Sequence, residues 1–368
     1  MTLHIVVAGA GYTGLGAAKL AARWTGAHVT LVNAHDKFVE RVRLHQFASG
    51  QTLRDLPLSA LLEGTGVELV VDRITGIDAD AHTLRTAGGR EIPYDKLIYA
   101  LGSRADLSTV PGGAEHAYTV TSLEEARRLK EKLSDSQTVA VTGGGLTGIE
   151  AAAELAETNP ELKVRLVTNG KLGEALSEKG RRYLQSVFAR LGIEVRENAR
   201  VAEVRADGLV LEDGAHVAAD TVVWTAGFAV SPLAREAGFA VDDKGRMLVD
   251  ETLRSVSHPD VVAVGDAASM RRPDGQELRM ACATGLPTMQ RAVKGLAARL
   301  KGKEPKPLRF TYLNQCISLG RKDGLIQFTH GDDSPREAIL TGRLAARYKE
   351  IIVRGTVVFE RRPTIPVG

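Results

Sequence analysis

Short, uninterrupted apolar runs rich in β-branched residues punctuate this chain, and each of the clearest ends in small or glycine residues. Such runs read as buried parallel strands, and the longer stretches between them, with apolar residues at helical spacing, as helices. Ile5-Val6-Val7-Ala8 breaks at Gly9 into an Ala-rich helix, and residues 29–33 follow as a second strand. Residues 67–71 and 97–100 are further strands, with a hairpin between them centred on Gly88-Gly89. A connecting helix is predicted over 121–133, opening on an N-cap in Thr-Ser-Leu-Glu-Glu. Residues 138–228 then repeat the opening pattern: strand, glycine turn, helix, a strand over 164–168, a helix over about 177–191, short strands and a buried run over 221–225. A strand over 261–265 precedes a helix from about Pro287 to 300, and the charged, Pro-containing segment 301–307 introduces a last module. There the pattern predicts strands around 310–319 and 325–328 and a helix over about 342–353.

The repeated turn carries the first chemistry. It reads Gly9-Ala10-Gly11-Tyr12-Thr13-Gly14 in one copy and Gly143-Gly144-Gly145-Leu146-Thr147-Gly148, followed by Ile149-Glu150, in the other. In G-x-G-x-x-G after a strand, the first glycine permits a tight turn and the second lets backbone N–H groups approach a pyrophosphate. The third allows close helix–strand packing, while the helix N-terminus supplies positive partial charge. One copy is a modest signal; two in matching context predict two dinucleotides in one protein, the minimum for moving a hydride. The acid that commonly reads ribose hydroxyls about 20 residues on is absent from both copies. Its places hold Asn33 and Thr168, with Lys171 three residues past the latter, where it could attract a 2′-phosphate.

Composition narrows the class. At 368 residues, 43% hydrophobic and 25% charged, the chain has room for two to three ordinary globular domains. Lys and Arg exceed Asp and Glu only by 48 to 45, which argues against nucleic acid as a partner. No run of about 18 apolar residues predicts a transmembrane helix, and the first strand starts too near Met1 to leave room for a leader. Cys282 and Cys316 have neither C-x-x-C nor C-x4-C spacing, so a cytoplasmic setting is expected and a thiolate metal site is not.

Two more strands end in small residues, Leu97-Ile-Tyr-Ala100-Leu-Gly102 and Val222-Val-Trp-Thr-Ala226-Gly227, and a third ends in an acid, Val261-Val-Ala-Val-Gly265-Asp266. This series, interleaved with the two glycine turns, resembles the two-dinucleotide-binding-domain flavoproteins of the pyridine nucleotide–disulfide reductase superfamily. The resemblance implies an α/β fold of two Rossmann-like domains plus a small α+β C-terminal module. Residues 1–115 and 246–302 would form the FAD domain, 116–245 an inserted NAD(P) domain and 303–368 an interface module. It implies FAD at Gly9, Ala10, Gly11, Tyr12, Thr13, Gly14, Asn33, Arg43, Ala100, Gly102, Gly265 and Asp266. It places NAD(P)H at Gly143, Gly145, Leu146, Thr147, Gly148, Glu150, Thr168 and Gly227, with Glu150 beside the nicotinamide as the catalytic candidate.

The segment Phe38-Val-Glu-Arg-Val-Arg43-Leu-His45-Gln lacks the redox cysteines that the disulfide reductases carry there. Electrons would then pass from flavin directly to an external acceptor, as in type II NADH dehydrogenases and small apoptosis-inducing-factor-like proteins, which the chain also resembles. The implied function is a FAD-dependent NAD(P)H oxidoreductase with a small-molecule acceptor such as a quinone, in a homodimer. The alternatives are a tailoring oxidoreductase or ferredoxin-type reductase, and an NAD(P)H-sensing flavoprotein that signals by dimerisation. His45 and Arg43 fall where the family approaches the flavin, with packing as their competing role. The basic, amphipathic helix over 342–353 fits packing or a subunit contact better than a membrane surface.

Overall fold

The computed structural model describes residues 2–366. The chain opens as β1 (His4–Ala8), α1 (Tyr12–Thr25) and β2 (His28–Asn33), then a short helix α2 (Leu44–Ala48), β3 (Val67–Val71) and β4 (Lys96–Tyr99). Between β3 and β4 lies a three-stranded antiparallel sheet that buries Ile77, Leu84 and Ile92 in the first unit's core, one of its turns made by Gly88 and Gly89, the latter at φ +79°. A second unit follows: β5 (Ala117–Tyr118), α3 (Leu123–Leu133), β6 (Thr138–Thr142), α4 (Leu146–Thr158), β7 (Lys163–Val167), α5 (Glu178–Arg190), β8 (Glu194–Arg196) and β9 (Thr221–Trp224). The chain then returns through β10 (Val261–Ala263) and α6 (Cys282–Leu300), and ends with β11 (Asn314–Ser318), β12 (Gly324–Thr329), β13 (Pro335–Thr341) and α7 (Gly342–Arg361).

Two parallel sheets result, in spatial order β10-β4-β1-β2-β3 and β8-β7-β6-β9-β5. Strands such as β1, β2 and β9 are buried on both faces, which is why they appear in sequence as unbroken apolar runs. β1 and β6 are the points where strand order reverses, and in open α/β sheets the crevice at the carboxyl end of such a switch point receives ligands. The chain crosses between the sheets twice, and the crossings pair as an antiparallel ribbon, Ser103–Ala105 with Phe228–Val230.

Several predicted elements are displaced, each for a local reason. The α3 start is at Leu123, with the Ser122 hydroxyl accepting from the Glu125 N–H at 3.2 Å. The helix expected from Pro287 begins at Cys282, so Pro287 is internal. The usual preference of proline for the first helical position is overridden by packing against α1, where Met289 Cε would lie 2.7 Å from a Cβ on Gly16. β13 has no sequence signal because it is an edge strand, exposed over most of its length and without an inward apolar alternation. The last helix runs to Arg361 rather than 353, since Val357 and Phe359 enter the core beneath the first sheet. Its final turn is held by Lys19 of α1, whose Nζ donates to the carbonyls of Glu360 (2.7 Å) and Arg361 (3.0 Å). Ile317, Leu319 and Leu325 instead join the core of the second unit. The C-terminal segment is a seam shared by both cores.

Candidate functional site

A single open cleft of about 1770 Å³ joins the two glycine turns, beyond the roughly 300–1,000 Å³ of a site for one small ligand. The turns are built alike. Gly9 and Gly143 sit at φ +96° and +108°, a region that side chains disfavour. A Cβ on Gly14 would lie 1.8 Å from the Gly9 carbonyl oxygen, and one on Gly148 would lie 2.0 Å from that of Gly143. These third glycines are close-packing positions behind the cleft. Gly11 and Gly145, by contrast, have nothing within 4 Å of a Cβ and open onto it.

Gly11 and Gly145 are also the N-caps of α1 and α4, and neither helix has a side chain capping its first N–H groups. The same is true of α6, whose N-cap Ala281 and first residue Cys282 line the same cleft. Three helices of 14, 13 and 19 residues therefore aim uncapped, positive N-termini at one cavity. That is the arrangement that two pyrophosphates and an electron-rich ring call for, so the residues present fit FAD and a nicotinamide dinucleotide.

Ala10, Tyr12, Thr13, Leu146 and Thr147 line the cleft beside their turns. Asn33 lines it too, but its amide is engaged within the chain: Oδ1 accepts from the Ala10 N–H at 2.9 Å, and Nδ2 donates to the His35 carbonyl at 2.8 Å. It holds the first turn in shape. Thr168 lines the second half, with its hydroxyl 2.5 Å from a Cβ on Gly144. Ala100 and Gly102 form the wall behind Gly9, whereas Gly227 stands back from the cleft between its lining neighbours Thr225 and Phe228.

Gly265 and Asp266 are on the wall as well, and Asp266 Oδ2 accepts from the Ser103 hydroxyl at 2.7 Å. Arg41 reaches the same carboxylate at 4.0 Å and donates to the Ser103 carbonyl. Arg43, expected at the flavin, does not line the cleft. Its guanidinium is clamped by Glu350 of α7 at 2.8 and 3.1 Å and by Glu40 at 3.3 Å, so it ties α2 to the last helix. The cleft-facing arginine is Arg41, two residues earlier; spacing alone does not separate them, because the 3-10 turn Arg41–Arg43 sends the two side chains different ways.

Glu150 lines the cleft from the start of the second turn of α4. Its Oε1 accepts from Lys349 Nζ at 2.8 Å and from the Ser318 N–H at 2.9 Å. Burial alone would raise the carboxyl, but Lys349, His45 and these hydrogen bonds hold it below the usual carboxylate range; burial alone would lower the ammonium, but Glu150 holds it above the usual lysine range. Both groups are therefore ionised at neutral pH. Lys349 also donates to the Cys316 carbonyl at 2.9 Å. Sequence reading misses Lys349, Arg41 and Ser103, since only the fold brings them to the cleft. It also passes over Glu174, a cleft-lining acid beside the second turn, whose Oε2 lies 2.5 Å from a Cβ on Gly170.

Cys282 faces the cleft and Cys316 donates to Asn314 Oδ1 at 3.0 Å; the two are free thiols. Burial pushes both up, Cys316 to about 11, so neither is a thiolate at neutral pH. Replacing both by Ser is expected to leave flavin reduction by NAD(P)H within a few-fold of wild type. A hundredfold loss in stopped-flow traces of a folded double variant would show that electrons travel through sulfur.

The profile of the pyridine nucleotide-disulphide oxidoreductase family matches residues 3–294. An NADH dehydrogenase-like protein of Mycobacterium tuberculosis is 32% identical, covering 95% of this chain and 92% of its own. The demethylphylloquinone reductase NdbB of Synechocystis is 27% identical over 94% and 92%. Among solved structures, the sulfide:quinone oxidoreductase of Aquifex aeolicus superposes with a TM-score of 0.83 at 18% identity, covering 98% of this chain and 91% of that one. The NDH2 of Plasmodium falciparum in complex with NADH gives the same score at 14% identity over 98% of both. With its paired glycine turns and paired parallel sheets, this chain belongs to the pyridine nucleotide-disulphide oxidoreductase family.

Proposed function

We propose that this protein is a FAD-dependent NAD(P)H oxidoreductase that delivers electrons to an external small-molecule acceptor, a quinone. The observation that carries the reading is the convergence of three uncapped helix N-termini on one cleft that holds no thiolate. Bound FAD would supply a carrier able to take hydride from NAD(P)H and pass the electrons on. The chain's own part is positioning: the first glycine turn with Asp266, Ser103 and Arg41 would hold FAD, and the second turn with Thr168 would hold NAD(P)H. With both ligands fixed in a shared cavity the reaction becomes effectively unimolecular, and no side-chain nucleophile is required. The names of the Mycobacterium and Synechocystis relatives support the same chemistry and a quinone acceptor.

The test is direct. Purified protein supplemented with FAD should retain it through gel filtration, and anaerobic NAD(P)H should bleach the flavin spectrum. Added ubiquinone-1 or menadione should restore the spectrum within seconds. Protein that takes up no FAD, or whose flavin is not reduced by either nicotinamide, overturns the assignment.

The outer face of α7 bears on where the acceptor is met. Ile351 and Leu344 are 69% and 63% exposed, with Ile352, Val358, Arg343 and Arg347 exposed around them. Such a basic, apolar stripe suits the surface of an anionic bilayer, where quinones reside, and we read it as a peripheral membrane contact. No helix of the described residues is long and apolar enough to cross one. Ile351→Glu should at least halve co-sedimentation with phosphatidylglycerol vesicles at low salt and leave flavin reduction unchanged. Unchanged vesicle binding, with a shift from dimer to monomer on a sizing column, would assign the stripe to a homodimer instead.

A further inference from the structure

His45 lines the cleft from α2, and its side chain is almost entirely enclosed, with 5% of the residue exposed. Its Nε2 has no hydrogen-bond partner among the described residues. A buried polar atom left unpaired costs folding free energy, and such atoms in native cavities call for an explanation. The neighbouring polar groups are already spent. Glu150 and Lys349 are bonded to each other, Lys349 also to the Cys316 carbonyl, and Arg43 is clamped by Glu350 and Glu40.

Resting on the function proposed above, we propose that His45 Nε2 is the hydrogen-bond anchor for the oxygen of the quinone acceptor. Chemistry favours this residue over its charged neighbours. An ammonium can only donate and a carboxylate can only accept, but a neutral imidazole does either according to its tautomer. A quinone carbonyl requires a donor and the hydroquinone hydroxyl offers one, so Nε2 can meet both redox states of the same ligand without a change of charge. The surroundings keep the ring neutral: burial foremost, then Lys349, Arg321 and Arg43 against the opposing pull of Glu150, hold it down to about 4. The position is consistent with the chain's missing sulfur. α2 packs between α3 and α4, and where this segment could have presented a cysteine to the cleft it presents an imidazole instead.

The anchor separates acceptors by their chemistry. Ferricyanide has no carbonyl and takes single electrons without a docking oxygen, so it reports the flavin alone. With FAD-loaded enzyme, His45→Phe should raise KM for ubiquinone-1 tenfold or more, which corresponds to about 1.4 kcal/mol, while ferricyanide reduction and flavin reduction by NADH stay within twofold. His45→Gln, whose amide nitrogen reaches the place of Nε2, should restore quinone KM to within about threefold of wild type. His45→Asn, too short to do so, should behave as Phe does. A His45→Phe enzyme with unchanged quinone KM, or with equal losses toward both acceptors, overturns the anchor alone. Wild type that reduces ferricyanide but no quinone overturns the acceptor reading and the anchor together.

Discussion

Gly14→Ala will yield a protein that binds FAD at least a hundredfold more weakly, and Gly148→Ala will yield a yellow protein that its nicotinamide no longer reduces. In each case the added Cβ meets backbone, 1.8 Å from the Gly9 oxygen or 2.0 Å from that of Gly143, and no rotamer change relieves the clash. The helix must withdraw from its strand, and with it go the first-turn N–H groups that the cleft presents. A hundredfold loss is about 2.7 kcal/mol, a modest fraction of what several charge-assisted contacts to a pyrophosphate contribute. The pair of variants also assigns the turns. Flavin content by visible absorbance, and NADH affinity by quenching of flavin fluorescence, should fail separately. Gly14→Ala protein that purifies yellow at wild-type affinity, or Gly148→Ala protein that loses flavin first, would reverse or remove the assignment.

The second large effect lies in the ion pair between the second unit and the last helix. Glu150 and Lys349 side chains are 11% and 20% exposed, and removing one partner of such a pair strands the other charge. Glu150→Ala should therefore destabilise the protein by about 3–5 kcal/mol, seen as a fall in the urea midpoint and early loosening of α7. Lys349→Met should cost a similar amount. The double variant Glu150→Leu/Lys349→Met should recover much of the loss, because an apolar pair leaves no buried charge. The pH dependence has a defined sign. The Glu150 carboxyl is lowered in the folded state, so its contribution is present above an unfolded value of about 4.3 and is lost as pH falls through the folded value. The Lys349 ammonium is raised, so its contribution is present below about 10.4 and is lost as pH climbs through its folded value. The gap between wild type and Glu150→Ala should thus be flat from about pH 5 to 10 and close toward strong acid. Additive losses in the double variant, or a gap that widens in acid, would show that the pair is not coupled.

Legibility in the sequence followed the range of the interaction. The two glycine turns and the strands that lead into them could be read directly, because each depends on φ angles, close approach or burial within about ten residues. The central strands of both sheets were visible for the same reason: strands covered on two faces must be apolar throughout. The long-range pairings left no local trace. Lys349 finds Glu150 across 199 residues, and nothing around the lysine distinguishes it from a solvated charge. Arg41 takes the place expected of Arg43 because a single 3-10 turn decides which guanidinium meets the cleft and which meets Glu350. The start of α6 was misplaced since Pro287 is tolerated inside a helix only where packing on α1 compensates it, and β13 was missed because an exposed edge strand needs no apolar alternation. His45 was visible as a residue but not as a free one. Its chemistry rests on an unpaired nitrogen, and whether an atom is paired is decided only when every neighbouring element has been placed. Local backbone and burial requirements were thus written in the order of residues; which charges are spent and which remain available was settled by the tertiary fold alone.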